Sequence, residues 1–215
     1  MMSIEIENLS CGFGSRRLFE GLSLTLKPGQ RLRIAGPSGC GKSTLLKSVM
    51  GFVSAVSGTI RIEGVLLNEV SVWTLRRKLA YLAQEPDLGT GPVLQRLREP
   101  FGYRHNAALR FDENALSRWL DYFYLPADVL QKDIKMLSGG EKQRLAVILA
   151  VMLGRTTFLL DEPVSAMDAA SRLRFVQMFA EHPEWTVLWV SHEESLASLA
   201  ERTVDITPLQ GGLRG

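Results

Sequence analysis

A glycine-rich stretch at residues 36–44 has the residue types and the spacing that bind phosphate. The stretch matches the pattern G-x-x-x-x-G-K-S/T and consists of Gly36, Pro37, Ser38, Gly39, Cys40, Gly41, Lys42, Ser43 and Thr44. Glycines permit a tight turn that aims backbone N–H groups inward, and the helix that follows adds the positive end of its dipole. In such a loop Lys42 reaches the β- and γ-phosphates of a nucleotide, and the Ser43 hydroxyl ligates Mg²⁺.

Cys40 lies inside this loop, and its residue type has two interpretations. It is either a small residue that fits a crowded turn or a thiol at a helix N-terminus, where thiols become reactive. The sequence leaves both open.

A second motif is an apolar run that ends in two acids. Residues 157–163 read Thr-Phe-Leu-Leu-Asp-Glu-Pro, with the acids at Asp161 and Glu162. A buried strand would present both carboxylates at its carboxyl end, where Asp161 suits Mg²⁺ and Glu162 suits a general base that activates water. The alternative is a strand that ends in a solvated acidic turn.

A third motif covers residues 137–144, which read Leu-Ser-Gly-Gly-Glu-Lys-Gln-Arg. Ser138 with Glu141 three residues later predicts a capping box at a helix start. The box does not explain Gly139 and Gly140, since each glycine weakens a helix by about 1 kcal/mol relative to alanine. The paired glycines therefore indicate that the backbone must approach an anion closely.

The segments around these motifs show two patterns of apolar residues. Alternating apolar residues at Ile4 and Ile6, in residues 22–26 and in residues 60–62 predict three strands of a small antiparallel sheet. The short apolar runs at 31–35, 158–160 and 187–190 are each followed by a turn and a helix. Such units build a parallel α/β sheet, which binds ligands at the carboxyl ends of its strands.

Residues of about 85–154 have a different, helical character. Leu116, Trp119, Leu120 and Phe123 follow helical spacing, and Asp112 could cap that helix. We interpret this stretch as a mainly helical insertion in the α/β core.

Composition narrows the class of protein. The chain has 215 residues, 46% of them hydrophobic and 22% charged, which suits one globular domain. A net charge of +2 gives no attraction to nucleic acid. Two cysteines suggest a reducing compartment, and the beginning of the sequence lacks a signal-peptide pattern. The apolar run at 145–153 is shorter than the roughly 20 residues that span a bilayer, so we expect a cytoplasmic chain.

Residues 137–144 resemble the signature of the ATP-binding cassette (ABC) ATPases, and their spacing from the phosphate loop and from Asp161–Glu162 fits that family. The resemblance covers nearly the whole chain. It implies a P-loop α/β fold with a mixed parallel core sheet, a small antiparallel β subdomain and a helical insertion. It also implies a single domain over 1–215, with an ATP-binding core of about 1–84 and 155–215 and a helical subdomain of about 85–154.

The same resemblance implies further site residues around ATP and Mg²⁺. Phe13, where tyrosine is usual, would stack on adenine. Gln84 would touch Mg²⁺ and the attacking water, His192 would contact the γ-phosphate, and Asp168 would lie in a loop that crosses a dimer interface. Two cassettes would pack head to tail, with each ATP between the phosphate loop of one copy and Ser138–Gly140 of the other.

The resemblance places a membrane partner at residues Glu85–Arg104. In transporters of this family the region receives short helices of a membrane permease, so the chain would lie at the inner face of the cell membrane. Apolar residues here could form a groove or the insertion's own core; they are Leu88, Val93, Leu94, Leu97 and Phe101.

Three stretches narrow the resemblance to the ATPase of a small export system linked to iron resistance. They are Gly36–Lys47, Leu137–Leu145 and Thr186–His192, of which only the last is not widely shared. A soluble assembly ATPase, as in iron–sulfur cluster assembly, is the alternative, ahead of DNA-repair and ribosome-associated cassettes.

Overall fold

The structure is a computed structural model that describes residues 3–191, 196 and 199–206. Its strands form two sheets, a five-stranded parallel sheet and a four-stranded antiparallel sheet. In the described part of the chain, every helix is too short or too polar to cross a bilayer.

The parallel sheet is formed by the apolar runs that the sequence analysis singled out, together with two strands that it did not. Its order is β6-β7-β8-β3-β9, and all four described pairings are parallel. The strands are β3 (Arg31–Ala35), β6 (Ala80–Leu82), β7 (Thr157–Asp161), β8 (Thr186–Val190) and β9 (Arg202–Asp205). Because β7 and β8 are buried along their whole length, they read as continuous apolar runs.

The antiparallel sheet contains the three strands that were predicted from alternating apolar residues, together with a short fourth strand. Its order is β2-β1-β4-β5, and Ile4 of β1 faces Leu26 on one side and Ile62 on the other. The strands are β1 (Ile4–Phe13), β2 (Arg16–Leu26), β4 (Ser57–Ile62) and β5 (Val65–Leu66).

Helix α1 (Lys42–Val49) packs against residues of both sheets. Leu45, Leu46 and Val49 are fully buried in one core with the inner faces of β1, β2 and β4. Among the described residues, the core also contains helices α2 (Val72–Arg76) and α6 (Ala169–Glu181). The phosphate loop therefore runs from a strand with Leu32 and Ile34 buried into a helix with one buried face, and the packing of both fixes the two ends of the loop.

The predicted insertion is helical where the structure describes it. It contains α3 (Val93–Arg98), α4 (Glu113–Tyr122), α5 (Gly139–Met152) and four short 3₁₀ turns at Glu99–Gly102, Arg104–Asn106, Ala127–Gln131 and Ile134–Met136. Asp112 caps α4 as expected, since its side chain accepts hydrogen bonds from the backbone N–H groups of Asn114 and Ala115. The limits of the insertion as a subdomain stay a prediction.

The apolar residues of 85–104 are mainly buried, in a core that the insertion shares with the parallel sheet. Val93, Leu97 and Phe101 are at most 9% exposed. Val93 and Leu97 pack in one cluster with residues of α4 and α5, and the centre of the Phe101 ring lies 5.2 Å from that of Phe111. Leu88 and Leu94 are partly buried against the same cluster. The first three therefore do not form an open groove.

Candidate nucleotide site

An open cavity of about 750 Å³ gathers half of the predicted site residues. It lies where β3, β7 and β8 end, as expected for a parallel sheet. Its predicted members are Phe13, Ser38, Gly39, Gly41, Lys42, Ser43, Thr44, Gln84 and Glu162. Phe13 is 59% exposed, so its ring face is open to a planar ligand.

The Lys42 side chain places its ammonium group at the phosphate loop. Its Nζ atom donates hydrogen bonds to the carbonyl oxygens of Gly36 at 2.8 Å and Pro37 at 3.0 Å. The side chain is only 8% exposed, and loss of solvent strengthens the attraction of an ammonium for phosphate.

The loop needs glycine at residue 41, which caps α1. Gly41 has a φ of 104°, and a Cβ there would lie 3.0 Å from both Leu18 and Phe19. A side chain would be strained by the backbone and crowded by β2. The neighbouring Cys40 is 1% exposed, which favours its interpretation as a small residue that fits the turn.

Two oxygen ligands suited to Mg²⁺ meet beside the loop. The Ser43 hydroxyl donates to Asp161 Oδ1 at 2.8 Å, and Tyr81 donates to Asp161 Oδ2 at 3.3 Å. Burial and the adjacent Asp161 charge raise the pKa of Tyr81, so it stays a donor. In the described residues no group of three or more His, Cys, Asp or Glu could hold a metal alone. One hydroxyl and one carboxylate fit Mg²⁺, which is commonly completed by water and substrate phosphates.

Glu162 follows β7 directly and turns its backbone sharply. Its φ is 49°, a left-handed conformation that few non-glycine residues adopt. Its N–H donates to the carbonyl of Val190 at the end of β8, and its carbonyl accepts from Ser165 Oγ at 3.1 Å. These contacts hold the residue at the cavity in an otherwise unfavourable conformation.

The signature residues form the predicted helix start. Ser138 Oγ accepts from the Glu141 N–H at 3.2 Å, and Glu141 accepts from the Ser138 N–H at 2.8 Å. Burial would raise the pKa of Glu141, but hydrogen bonds from Ser138 and Lys132 outweigh burial and lower it.

The signature does not reach the cavity beside the phosphate loop. In the part of the chain that the structure describes, Ser138, Gly139 and Gly140 are absent from its lining. Gly139 instead lines an adjoining cavity of about 620 Å³, which shares Gln84 and Ser165 with the first. The structure therefore brings the phosphate loop, Gln84 and Glu162 together and leaves the signature outside.

Asp168 caps α6. Its side chain accepts from the backbone N–H and the hydroxyl of Ser171, at 2.8 and 3.0 Å, and Arg144 Nη1 lies 3.4 Å from Oδ2. The backbone hydrogen bond is the main cause of a lowered pKa of Asp168. The carboxylate is still 59% exposed. His192 falls outside the described residues.

Sequence reasoning missed three polar residues at the site. Arg16 lines the cavity beside Gly39, Tyr81 bonds Asp161, and Gln143 bonds three neighbouring loops. Gln143 could have been suspected, because it lies one turn after Gly140 on a helix that becomes apolar at Leu145.

Family comparison decides the class of protein. Residues 19–165, more than half of the chain, match the family described as ABC transporter. The chain belongs to the ABC transporter ATPases. Because family members bind and hydrolyse ATP, this cassette is an ATP-binding, ATP-hydrolysing subunit of a transport system.

Two relatives of this cassette handle iron in opposite directions. It is 31% identical to the probable iron export ATP-binding protein FetA of Escherichia coli (strain K12), over 98% of this chain and 94% of the relative. It is 28% identical to the iron(3+)-hydroxamate import ATP-binding protein FhuC of Bacillus subtilis (strain 168), over 90% of this chain and 74% of the relative.

A solved structure supports the fold of the cassette. A dimeric ATP-binding cassette in a post-hydrolysis state, bound to ADP and Pi, covers 99% of both chains with a TM-score of 0.77 at 23% identity. The predicted family, fold class and ATPase activity are confirmed. The core sheet, expected to be mixed, is parallel in every described pairing.

Proposed function

We propose that this cassette hydrolyses MgATP as a head-to-tail homodimer and powers iron export by a separate membrane permease. The observation that carries the catalytic part is that Ser43 and Glu162 line one cavity with the phosphate loop, and that the Ser43 hydroxyl bonds Asp161. Lys42 and the loop N–H groups would bind the phosphates, and Ser43, Asp161 and Gln84 would hold Mg²⁺, which would supply positive charge to neutralise the phosphates. Glu162 accepts a proton from the attacking water.

The position of the signature supports the dimer. Ser138 and Gly139 are exposed at the N-terminus of α5, outside the cavity of their own chain. A second copy turned head to tail would bring this positive helix end to the γ-phosphate. Asp168, which is also exposed, would lie at the same interface, and His192 would contact the γ-phosphate.

A groove after Gln84 supports the permease contact. It has a volume of about 630 Å³ and runs between the core and the insertion, where its lining includes Phe52, Tyr81, Leu88, Tyr103 and Leu149. Phe52 and Tyr103 are 55% and 52% exposed. An amphipathic helix of the permease would lay its apolar face in such a groove. Of the five apolar residues predicted to contact the permease at Glu85–Arg104, only Leu88 lines this groove. The other apolar lining residues named here, apart from Tyr103, lie outside that region.

One rim of this groove is rigid. Arg76 donates to the carbonyls of Met50 and Gly51 at 2.6 and 2.7 Å, and its guanidinium lies 4.4 Å from the centre of the Phe52 ring. Phe52 is therefore held in place before any partner binds, which lowers the entropic cost of docking.

The likeness to FetA supports iron export. It extends over nearly the full length of both chains, more of the relative than the likeness to the importer FhuC covers. The cassette would then lie in the cytoplasm, held at the inner face of the membrane by its permease.

A pull-down tests whether the cassette binds a membrane permease, and it identifies that permease. Tagged Glu162→Gln chain is mixed with solubilised membranes and with cytosol, with and without ATP. We expect a multi-helix membrane protein from the membrane fraction, lost with Phe52→Glu and retained with Val65→Glu, an exposed apolar residue on the antiparallel sheet. Recovery of soluble proteins alone would instead indicate an assembly ATPase.

A further inference from the structure

We propose that Gln143 is a positioning residue for ATP hydrolysis, because its buried amide joins the Gln84 loop, Glu162 and the Ser165–Ala166 turn into one unit. The placement of Glu162 would then follow the position of helix α5. This inference rests on the proposed role of Glu162 as the base.

The amide of Gln143 contacts all three loops at hydrogen-bond distance. Its Nε2 atom donates to the carbonyl of Gln84 at 2.9 Å, to Ser165 Oγ at 3.1 Å and to the carbonyl of Glu162 at 3.3 Å. Its Oε1 atom accepts from the N–H of Ala166 at 3.1 Å. Two N–H groups serve three acceptors, so two of the acceptors share one of them. The Ser165 hydroxyl also donates to the Glu162 carbonyl at 3.1 Å.

The burial of Gln143 indicates that its polarity matters. The residue is 2% exposed, on a helix whose later buried positions are apolar, such as Leu145 and Val147. An amide in such a place costs free energy unless it is hydrogen-bonded. Packing alone would be served as well by leucine or methionine, so the amide is explained by the loops that it joins.

Gly140 attaches the same helix to the same turn. A Cβ on Gly140 would lie 2.5 Å from the carbonyl oxygen of Ala166, so the backbone of α5 packs directly on the turn. Gly140 and Gln143, one helical turn apart, therefore hold residues 165–166 from two points. The start of α5 also carries Ser138, which faces the second copy in the proposed dimer.

These contacts give a path from the dimer interface to the base. When ATP of the second copy engages Ser138, a shift of α5 moves Gln143 and with it the backbone of Glu162. That backbone has a φ of 49°, so its conformation depends on its neighbours.

Gln143→Met tests the proposal, because methionine keeps the length and removes every hydrogen bond. We expect kcat of the full chain to fall by about 10- to 100-fold, the effect of misplacing a catalytic group by about 1 Å. KM for ATP and the equilibrium affinity for ATP should stay near the wild-type values. Gln131→Met, at an exposed glutamine, is the matched control and should match the wild-type kcat.

Ser165→Ala provides a second readout that does not depend on a buried substitution. Ser165 is exposed, and its loss should lower kcat several-fold, with an effect that is not additive with Gln143→Met because both act in one network. A wild-type kcat in folded Gln143→Met, or in Ser165→Ala should Gln143→Met not fold, would overturn the proposal. A parallel loss of kcat and ATP affinity would also overturn it, since it would mark a merely structural role.

Glu162→Gln separates this inference from the proposed function. If Glu162→Gln hydrolyses ATP normally, the proposed base is wrong. If Glu162→Gln is inactive and Gln143→Met is fully active, only the role of Gln143 fails.

Discussion

The two halves of the nucleotide site are built in opposite ways. The phosphate-loop half is formed within one chain, where Lys42 bonds the carbonyls of Gly36 and Pro37 and Ser43 bonds Asp161. Lys42 and Asp161 are buried, whereas residues 37–39 of the loop are exposed. The signature half lies at the exposed start of helix α5. Its buried contacts are made with the turn at Ala166 of the same chain. We expect the first half to bind phosphate by itself, whereas the second has an exposed face that could contact a second copy.

The largest expected effect separates chemistry from binding in the first half. Glu162→Gln should lower kcat by about 10²–10⁴, because an amide cannot accept the proton of the attacking water. ATP should still bind, since the phosphate loop is unchanged. Steady-state phosphate release and equilibrium ATP binding measure the two effects, with Glu113→Gln at an exposed pair as the control. Near-normal turnover would refute Glu162 as the base.

A pair of variants should separate the two halves by their effect on ATP affinity. Lys42→Ala should weaken ATP binding by about 10- to 100-fold, because a hydrogen bond to a charged group contributes about 1.5–3 kcal/mol. Ser138→Arg should leave the affinity of the single chain near the wild-type value, because Ser138 lies outside the cavity. Titration with a fluorescent ATP analogue at low protein concentration measures both. Equal losses would contradict the separation of the halves.

The paired glycines should differ in their effect on stability. Gly140→Ala places a Cβ 2.5 Å from the Ala166 carbonyl oxygen, and this overpacking should lower the free energy of unfolding by about 1–3 kcal/mol. Gly139→Ala meets only the Ala166 side chain, at 3.3 Å, and alanine favours the helix by up to about 1 kcal/mol. Urea unfolding compares the two variants. Equal midpoints would show that Gly140 is not packed against the turn.

The smallest effect concerns the cap of the signature helix. Hydrogen bonds lower the pKa of Glu141 from its ordinary value of 4.5, so the folded state is stabilised when Glu141 is ionised. This contribution, about 1 kcal/mol for a cap, is present at neutral pH and is lost as the pH falls below about 4.5. Glu141→Gln should therefore show a smaller loss of unfolding free energy than the wild type between about pH 5 and pH 3. Equal acid sensitivity of the two proteins would contradict the lowered pKa.

Local signals in the sequence predicted much of the fold. The run 31–35 became β3, the phosphate loop runs into α1 at Lys42, and Asp112 and Ser138 cap α4 and α5. Each of these features depends on residues within one or two turns, so the pattern alone contains the information. Strand β9, by contrast, reads Arg-Thr-Val-Asp and lies at the sheet edge, mostly exposed, so it lacks an apolar pattern.

Contacts between distant segments could not be predicted. The paired glycines suggested a close approach to an anion, but the structure shows that Gly140 also packs on Ala166 of its own chain. The position of Gln143 one turn after Gly140 could have marked it as a site residue, but its partners Gln84 and Glu162 come near it only when α5 packs beside the ends of β6 and β7. The same holds for Val93, whose burial depends on a cluster that includes residues of α4 and α5. The roles assigned to the site residues stay predictions.

The proposal that two copies share each nucleotide site is tested most directly by measuring the mass of Glu162→Gln in solution with and without ATP. Light scattering after size exclusion should show the 23.9 kDa chain doubling in mass only when ATP is present, because trapped ATP joins the phosphate loop of one copy to the signature of the other. Adding Ser138→Arg should abolish the doubling while ATP still binds. A single-chain mass at saturating ATP, or doubling that survives Ser138→Arg, would contradict a nucleotide site shared between two copies.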